Sequence, residues 1–165
     1  MHRGSGRLAQ ALGVMIELCA SVEQPGWLFL RQLLWPHCTQ AEHLAEMRAF
    51  VAQPDRYIQF MAYGESYQAV GFVEASLRND YVNGTESSPV AFLEGLYVVP
   101  RHRRRGIARC LVAAIGEWAA AHGCHEFASD APLKNELSQA VHKALGFMET
   151  ERVVYFRKVL SANDA

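Results

Sequence analysis

Apolar residues recur along this chain with two periods, and where the period changes an element ends. Met15 to Ala20 reads as a first strand. Gly26 to Trp35 reads as a short helix whose apolar side is Trp27, Leu30, Leu33 and Leu34, stopped by Pro36. Thr39 is placed to cap a second helix over 40–52, with Leu44, Met47, Phe50 and Val51 inward. Past the turn at Pro54-Asp55, Tyr57 to Ala62 is a second strand, Gly64-Glu65 a hairpin and Tyr67 to Leu77 a third strand. Arg78 to Pro89 is a polar loop containing Asn83-Gly84. A fourth strand follows over 90–99, ended by Pro100. Helix three spans 104–121, with Ile107, Leu111, Ala114, Ile115 and Trp118 on one face and Gly123 beyond its end. Glu126 to Ser129 is a short fifth strand. Asn135 to Ala144 is a fourth helix, carrying Leu137, Val141, Ala144 and Leu145 and closed by Gly146, and the segments 147–149 and 152–159 are final strands. This order predicts an α/β (α+β) domain with a mixed sheet.

With 165 residues, half of them apolar, the chain suits one domain with a sizeable core. Residues 1–14 read as an upstream extension or added leader, Met15 as a plausible native start, 15–160 as the domain and 161–165 as a tail. The net charge of −1 and a single basic cluster, Arg101 to Arg105, argue against a general nucleic-acid binder. No run of roughly 18 apolar residues marks a membrane span. Cys19, Cys38, Cys110 and Cys124 form no C-x-x-C pair, which fits free thiols in a reducing cytoplasm. Seven histidines lack ligand spacing, so no metal is expected.

The chemistry centres on Phe92 to Gly106 and the helix after it. A buried strand, a turn with four arginines and a helix N-terminus together make an anion site, because first-turn N–H groups are unpaired and the helix dipole favours negative charge. Gly106 and Ala108 are small enough for a diphosphate to approach the backbone, and arginine adds directed donors. A solvated basic loop is the plainer alternative.

Arg103-Arg104-Arg105-Gly106-Ile107-Ala108 resembles the R/Q-x-x-G-x-G/A loop of the GNAT N-acetyltransferases, as do Val98-Val99-Pro100 before it and Leu145-Gly146-Phe147 after it. The resemblance covers nearly all of 15–160. It implies a mostly antiparallel sheet splayed between strands four and five, flanked by four helices. It implies acetyl-CoA as co-substrate, its pyrophosphate on Arg103, Arg104, Arg105, Gly106, Ile107, Ala108 and Arg109, with Asn135 a further contact. It places backbone contacts at Leu96, Tyr97 and Val98, the Val98 N–H aimed at the thioester carbonyl.

Acyl transfer to an amine also needs a proton acceptor. Glu94 sits within an apolar strand, where a carboxylate is costly unless paired or employed. Strict alternation would put it on one face with Leu96, and Gly95 with Tyr97 on the other. Asp130, directly after strand five, is the second candidate, against an ordinary turn aspartate. Many family members carry a tyrosine four residues before the glycine of Leu145-Gly146-Phe147 as proton donor to the leaving thiolate; His142 stands there, as that acid or as a surface residue.

The likeness narrows further. Leu34-Trp35-Pro36, Arg78 to Gly84 with Ser87-Ser88-Pro89, Phe92 to Gly95, Ala128-Ser129-Asp130 and Glu149 to Arg152 resemble the aminoglycoside 6'-N-acetyltransferases of Gram-negative bacteria. That implies drug contacts at Trp35, His37, Tyr81, Glu94, Asp130 and Glu151, although the residues after Pro36 depart from the pattern and Cys38 competes with His37 for its place. It also implies a homodimer. Converging carboxylates and an aromatic wall suit a polycationic sugar. Core packing for Trp35 and a cross-strand arginine pair for Glu151 are the plainer alternatives. Another amine as substrate, or a non-enzymatic module binding RNA or a partner through Arg101 to Arg105, are the rival functions.

Overall fold

A computed structural model describes residues 5–159. Five strands lie side by side in chain order: β1 (Met15–Leu18), β2 (Tyr57–Tyr63), β3 (Ala69–Arg78), β4 (Val90–Val98) and β5 (Phe127–Ala128). The first four are antiparallel neighbours and β5 joins β4 in parallel. A parallel neighbour needs a crossover, which is helix α4 (Ile107–Ala121). The remaining helices are α1 (Ser5–Ala11), α2 (Trp27–Leu34), α3 (Gln40–Val51) and α5 (Glu136–Ala144).

The sheet is covered on both faces. Against one, α4 buries Ile107, Leu111 and Ile115 on Ala62, Val73, Ala75, Leu93 and Val98. Against the other, α2 and α3 bury Trp27, Leu30 and Met47 on Met61, Tyr63 and Phe72. Helix α3 starts as expected: Thr39 Oγ1 accepts from the Glu42 N–H while the Glu42 carboxylate accepts from the Thr39 N–H, two orphan donors satisfied at once.

Several expectations change. Helix three begins at Ile107 and not at 104, because Arg104 and Gly106 adopt left-handed backbone that no helix continues. Leu33 is 43% exposed; Arg31 takes the inward place, sealed by Glu74. The expected strands over 147–149 and 152–159 do not form, and Val154, Tyr155 and Phe156 are exposed. Alternating apolar residues satisfy a strand only when an edge accepts their backbone, and β5, two residues long, offers little. Leu137 and Val141 of α5 are likewise uncovered. Among the described residues five α-helices stand where four were expected, because Ser5–Ala11, read as an extension or leader, packs on β1 and α4 with Ala9 buried. The 161–165 tail lies outside the described residues.

Candidate active site

β4 and β5 share only two pairs, Ala91 with Phe127 and Phe92 with Ala128, and then part. Just past that point β4 carries one extra residue. Glu74 of β3 opposes Gly95 and Ala75 opposes Leu93, so Glu94 is the unpaired residue of a bulge. The bulge breaks the alternation: Leu93, Leu96 and Val98 all serve the α4-side core. Glu94 therefore does not share a face with Leu96. Its carboxylate accepts from Ser76 Oγ at 2.5 Å and from Arg78 Nη2 at 3.0 Å. Those residues alternate with Glu74, which is bound by α2, so Glu94 lies on the α2 side and remains partly exposed. The ion-pair alternative for Glu94 is thus realised, with Arg78 stacked on the Phe92 ring.

The same extra residue re-aims the backbone. The Val99 N–H bonds to Val70 on β3. Successive N–H groups of a strand point to opposite edges, so the Val98 N–H faces the open edge where β5 has diverged.

Gly95 lets Trp35 lie across β4: a Cβ there would sit 2.5 Å from Trp35 Cη2. The ring also meets Phe72 edge-on at 6.1 Å, with the Arg31 guanidinium 4.8 Å from its centroid. Arg31 is held by Glu74 at 2.5 and 2.6 Å and by Glu46, and Trp27 Nε1 donates to Glu74 at 2.7 Å. Trp35 therefore packs as core through these contacts while staying partly exposed, so its core alternative is realised. Sequence reasoning missed Arg31, Glu74 and Gly95. The signal for Glu74 was present, an acid inside an apolar strand like Glu94.

The basic turn runs through a short 3-10 segment, Pro100–His102, to Gly106 at φ 86°. The first helical bond of α4 is Cys110 N–H to Gly106 C=O, and no side chain among the described residues caps Ile107, Ala108 or Arg109, so their N–H groups are available to an anion. Arg104, Arg105 and Arg109 are exposed there, while Arg103 folds back, Nε donating to the Val98 carbonyl at 2.8 Å beneath Tyr97. A pyrophosphate-bearing co-substrate fits this donor set. Gly106→Val is expected to weaken acetyl-CoA binding at least tenfold by calorimetry, since φ 86° suits glycine and a Cβ would press on Leu12 at 3.0 Å. Unchanged affinity would remove Gly106 from the site.

His142, on α5, is brought to the splay. Its Nδ1 lies 2.7 Å from the Ser138 carbonyl, which can only accept, so Nδ1 carries a proton. Its Nε2 lies 2.8 Å from Ser129 Oγ, the first residue past β5. Asn135 caps α5, accepting from the Ser138 N–H at 3.0 Å. In the sequence Ser129 stands out only as part of the Ala128-Ser129-Asp130 motif, and nothing local marks the histidine thirteen residues on.

The other candidates are less gathered. Tyr81 is 76% exposed beside a cavity of about 290 Å³ formed by its own loop. Asp130 and Glu151 are exposed and make no hydrogen bond or ion pair among the described residues. Glu149, not Glu151, pairs with Arg152. His37 is exposed near Glu42, at the start of α3. All four cysteines are free, and burial pushes the Cys19 thiol up to about 12.

Comparison with known proteins accounts for this geometry. The model of the acetyltransferase (GNAT) family matches residues 27–147. An aminoglycoside N(6')-acetyltransferase type 1 from Acinetobacter genomosp. 13 is 56% identical over 132 residues, 80% of this chain and 89% of that protein. The crystal structure of the aminoglycoside 6'-N-acetyltransferase AAC(6')-Ih from Acinetobacter baumannii is 51% identical, with TM-score 0.86, over 90% of this chain and 100% of that one. AAC(6')-Iy, solved with the bisubstrate analog CoA-S-monomethyl-acetylneamine, is 44% identical, with TM-score 0.83, over 89% of this chain and 99% of that one. The splayed sheet, the uncapped basic helix start and these matches agree: the chain belongs to the GNAT acetyltransferase family.

Proposed function

We propose that this protein is an aminoglycoside 6'-N-acetyltransferase, moving acetyl from acetyl-CoA to the 6'-amine of the drug and so conferring resistance. The observation that carries this is Glu94, bulged out beside Trp35 where β4 and β5 separate, in a chain whose close relatives bear that activity in their names. Acetyl-CoA supplies the activated thioester. Ile107, Ala108 and Arg109 N–H groups with Arg104 and Arg105 hold its pyrophosphate, and the Val98 N–H polarises the acyl carbonyl. Glu94 accepts the proton of the attacking amine, directly or through water. The incoming ammonium groups compete with Arg78 for the same carboxylate. Trp35 and Tyr81 wall the sugar, and Asp130, Glu151 and His37 are further contacts.

His142 holds the proton for the departing sulfur. When its ring is doubly protonated, Nε2–H donates to Ser129 and frees the Ser129 hydroxyl to donate into the splay. We also place the protein in the bacterial cytoplasm, where acetyl-CoA is made, and expect a homodimer that covers Val154, Tyr155 and Phe156, which light scattering would register.

Mass spectrometry of tobramycin incubated with protein and acetyl-CoA should show one added acetyl, on the 6' nitrogen. A kcat/KM for tobramycin far below that for spermidine or peptide amines would defeat the drug assignment.

A further inference from the structure

The polar loop 79–89 is held in place by a residue outside it. Glu126, at the entrance to β5, accepts three hydrogen bonds through one carboxylate oxygen: from the Glu86 N–H at 2.9 Å, from the Ser87 N–H at 2.6 Å and from the Ser87 hydroxyl. Its own carbonyl accepts from the Ala91 N–H, so the clamp is fastened to the β4–β5 pairing itself. Charge-assisted bonds of this kind are roughly twice as strong as neutral ones. The Ser87 hydroxyl and the two N–H groups hold the Glu126 carboxyl below the usual carboxylate range.

The rest of the loop hangs from this point. Ser88 Oγ donates to the Asn79 carbonyl at 3.1 Å and closes the loop's base. Thr85 donates to the Val82 carbonyl through both its N–H and its hydroxyl. Val82 is buried against Val90 and Phe92. With Val82 turned inward, its neighbour Tyr81 is turned out. The loop has little apolar burial beyond Val82, so polar contacts must supply most of its order.

We infer that Glu126 is the positioning residue for the drug-facing loop, setting where Tyr81 stands without touching the substrate. This rests on the reading that Tyr81 contacts the aminoglycoside. Two readouts separate the two claims. In Glu126→Ala, amide hydrogen exchange at Glu86 and Ser87 should accelerate at least tenfold, with exchange in β2 and β3 unchanged. The same variant should raise the KM for tobramycin about tenfold and leave the KM for acetyl-CoA within about twofold. Ser87→Ala, which keeps the backbone bonds, should show a smaller shift in the same direction and serves if Glu126→Ala folds poorly. Glu126→Gln, which keeps an acceptor of similar shape, should fall between. Unchanged exchange at Glu86 and Ser87 would overturn the clamp. Faster exchange with an unchanged tobramycin KM, where Tyr81→Ala raises that KM, would overturn its positioning role. If Tyr81→Ala also leaves the KM unchanged, the drug-loop reading fails and the inference falls with it.

Discussion

Replacing Glu94 with glutamine is expected to cut turnover by roughly 10²–10⁴-fold, the range of a general base removed from its proton. The amide keeps the shape and can still accept from Ser76 and Arg78, so the fold and acetyl-CoA affinity should hold. The loss should sit in kcat, with the drug KM changed less, because proton transfer belongs to the reaction and not to docking. Pre-steady-state acetylation of tobramycin measures it directly. Near-normal turnover would leave Glu94 as no more than the structural partner of Arg78, and Asp130→Asn would become the next substitution to measure. The position is unusual for a structural reason. A carboxylate in a regular strand would point into a core or into solvent. The bulge puts this one on the α2 face of the sheet, partly covered, bonded to Ser76 and Arg78 and next to the glycine on which Trp35 lies.

The largest stability effect is expected from Glu74→Ala. Glu74 and Arg31 are each 1% exposed, and removing one partner of a buried pair leaves the other charge uncompensated, at a cost of about 3–5 kcal/mol. The loss converts to a Tm drop on the order of 10 °C for a domain of this size. Glu46 also reaches Arg31 but is 61% exposed and cannot replace the buried acid. A double change of Arg31 and Glu74 to methionine should recover much of the loss, since no lone charge then remains. Calorimetry of the single and double variants decides it, and a midpoint within roughly 2 °C of the parent for Glu74→Ala would refute the account. Function should follow stability here: Arg31 backs the Trp35 ring, so variants that still fold should bind tobramycin more weakly.

Much of this is legible in the amino-acid sequence. Period-two and period-3.6 patterns placed β1 to β5 and α2 to α5 within a few residues; for β2 to β4 and α2 to α4 the reason is a buried face, while α5 is marked by its Asn135 cap although its apolar side chains stay uncovered. The two final strands failed for the opposite reason. Their alternation is genuine, but the described residues offer no edge for it to pair with. The turn at 103–106 was legible because a glycine before an apolar helix stripe has few structural meanings. Arg31 was not, since a cation on a helix reads as solvated until its acid partner is known.

Local chemistry along the chain was enough to establish the element order, the uncapped basic helix start and the short list of acids. Spacing alone decides those, because each depends on neighbours within one turn or one strand. Which face Glu94 occupies, which edge the Val98 N–H addresses, which histidine reaches Ser129 and what secures the Tyr81 loop were settled by packing. Each depends on one unpaired residue in β4, or on partners 13 to 40 positions away, and strict alternation along a strand carries no record of either.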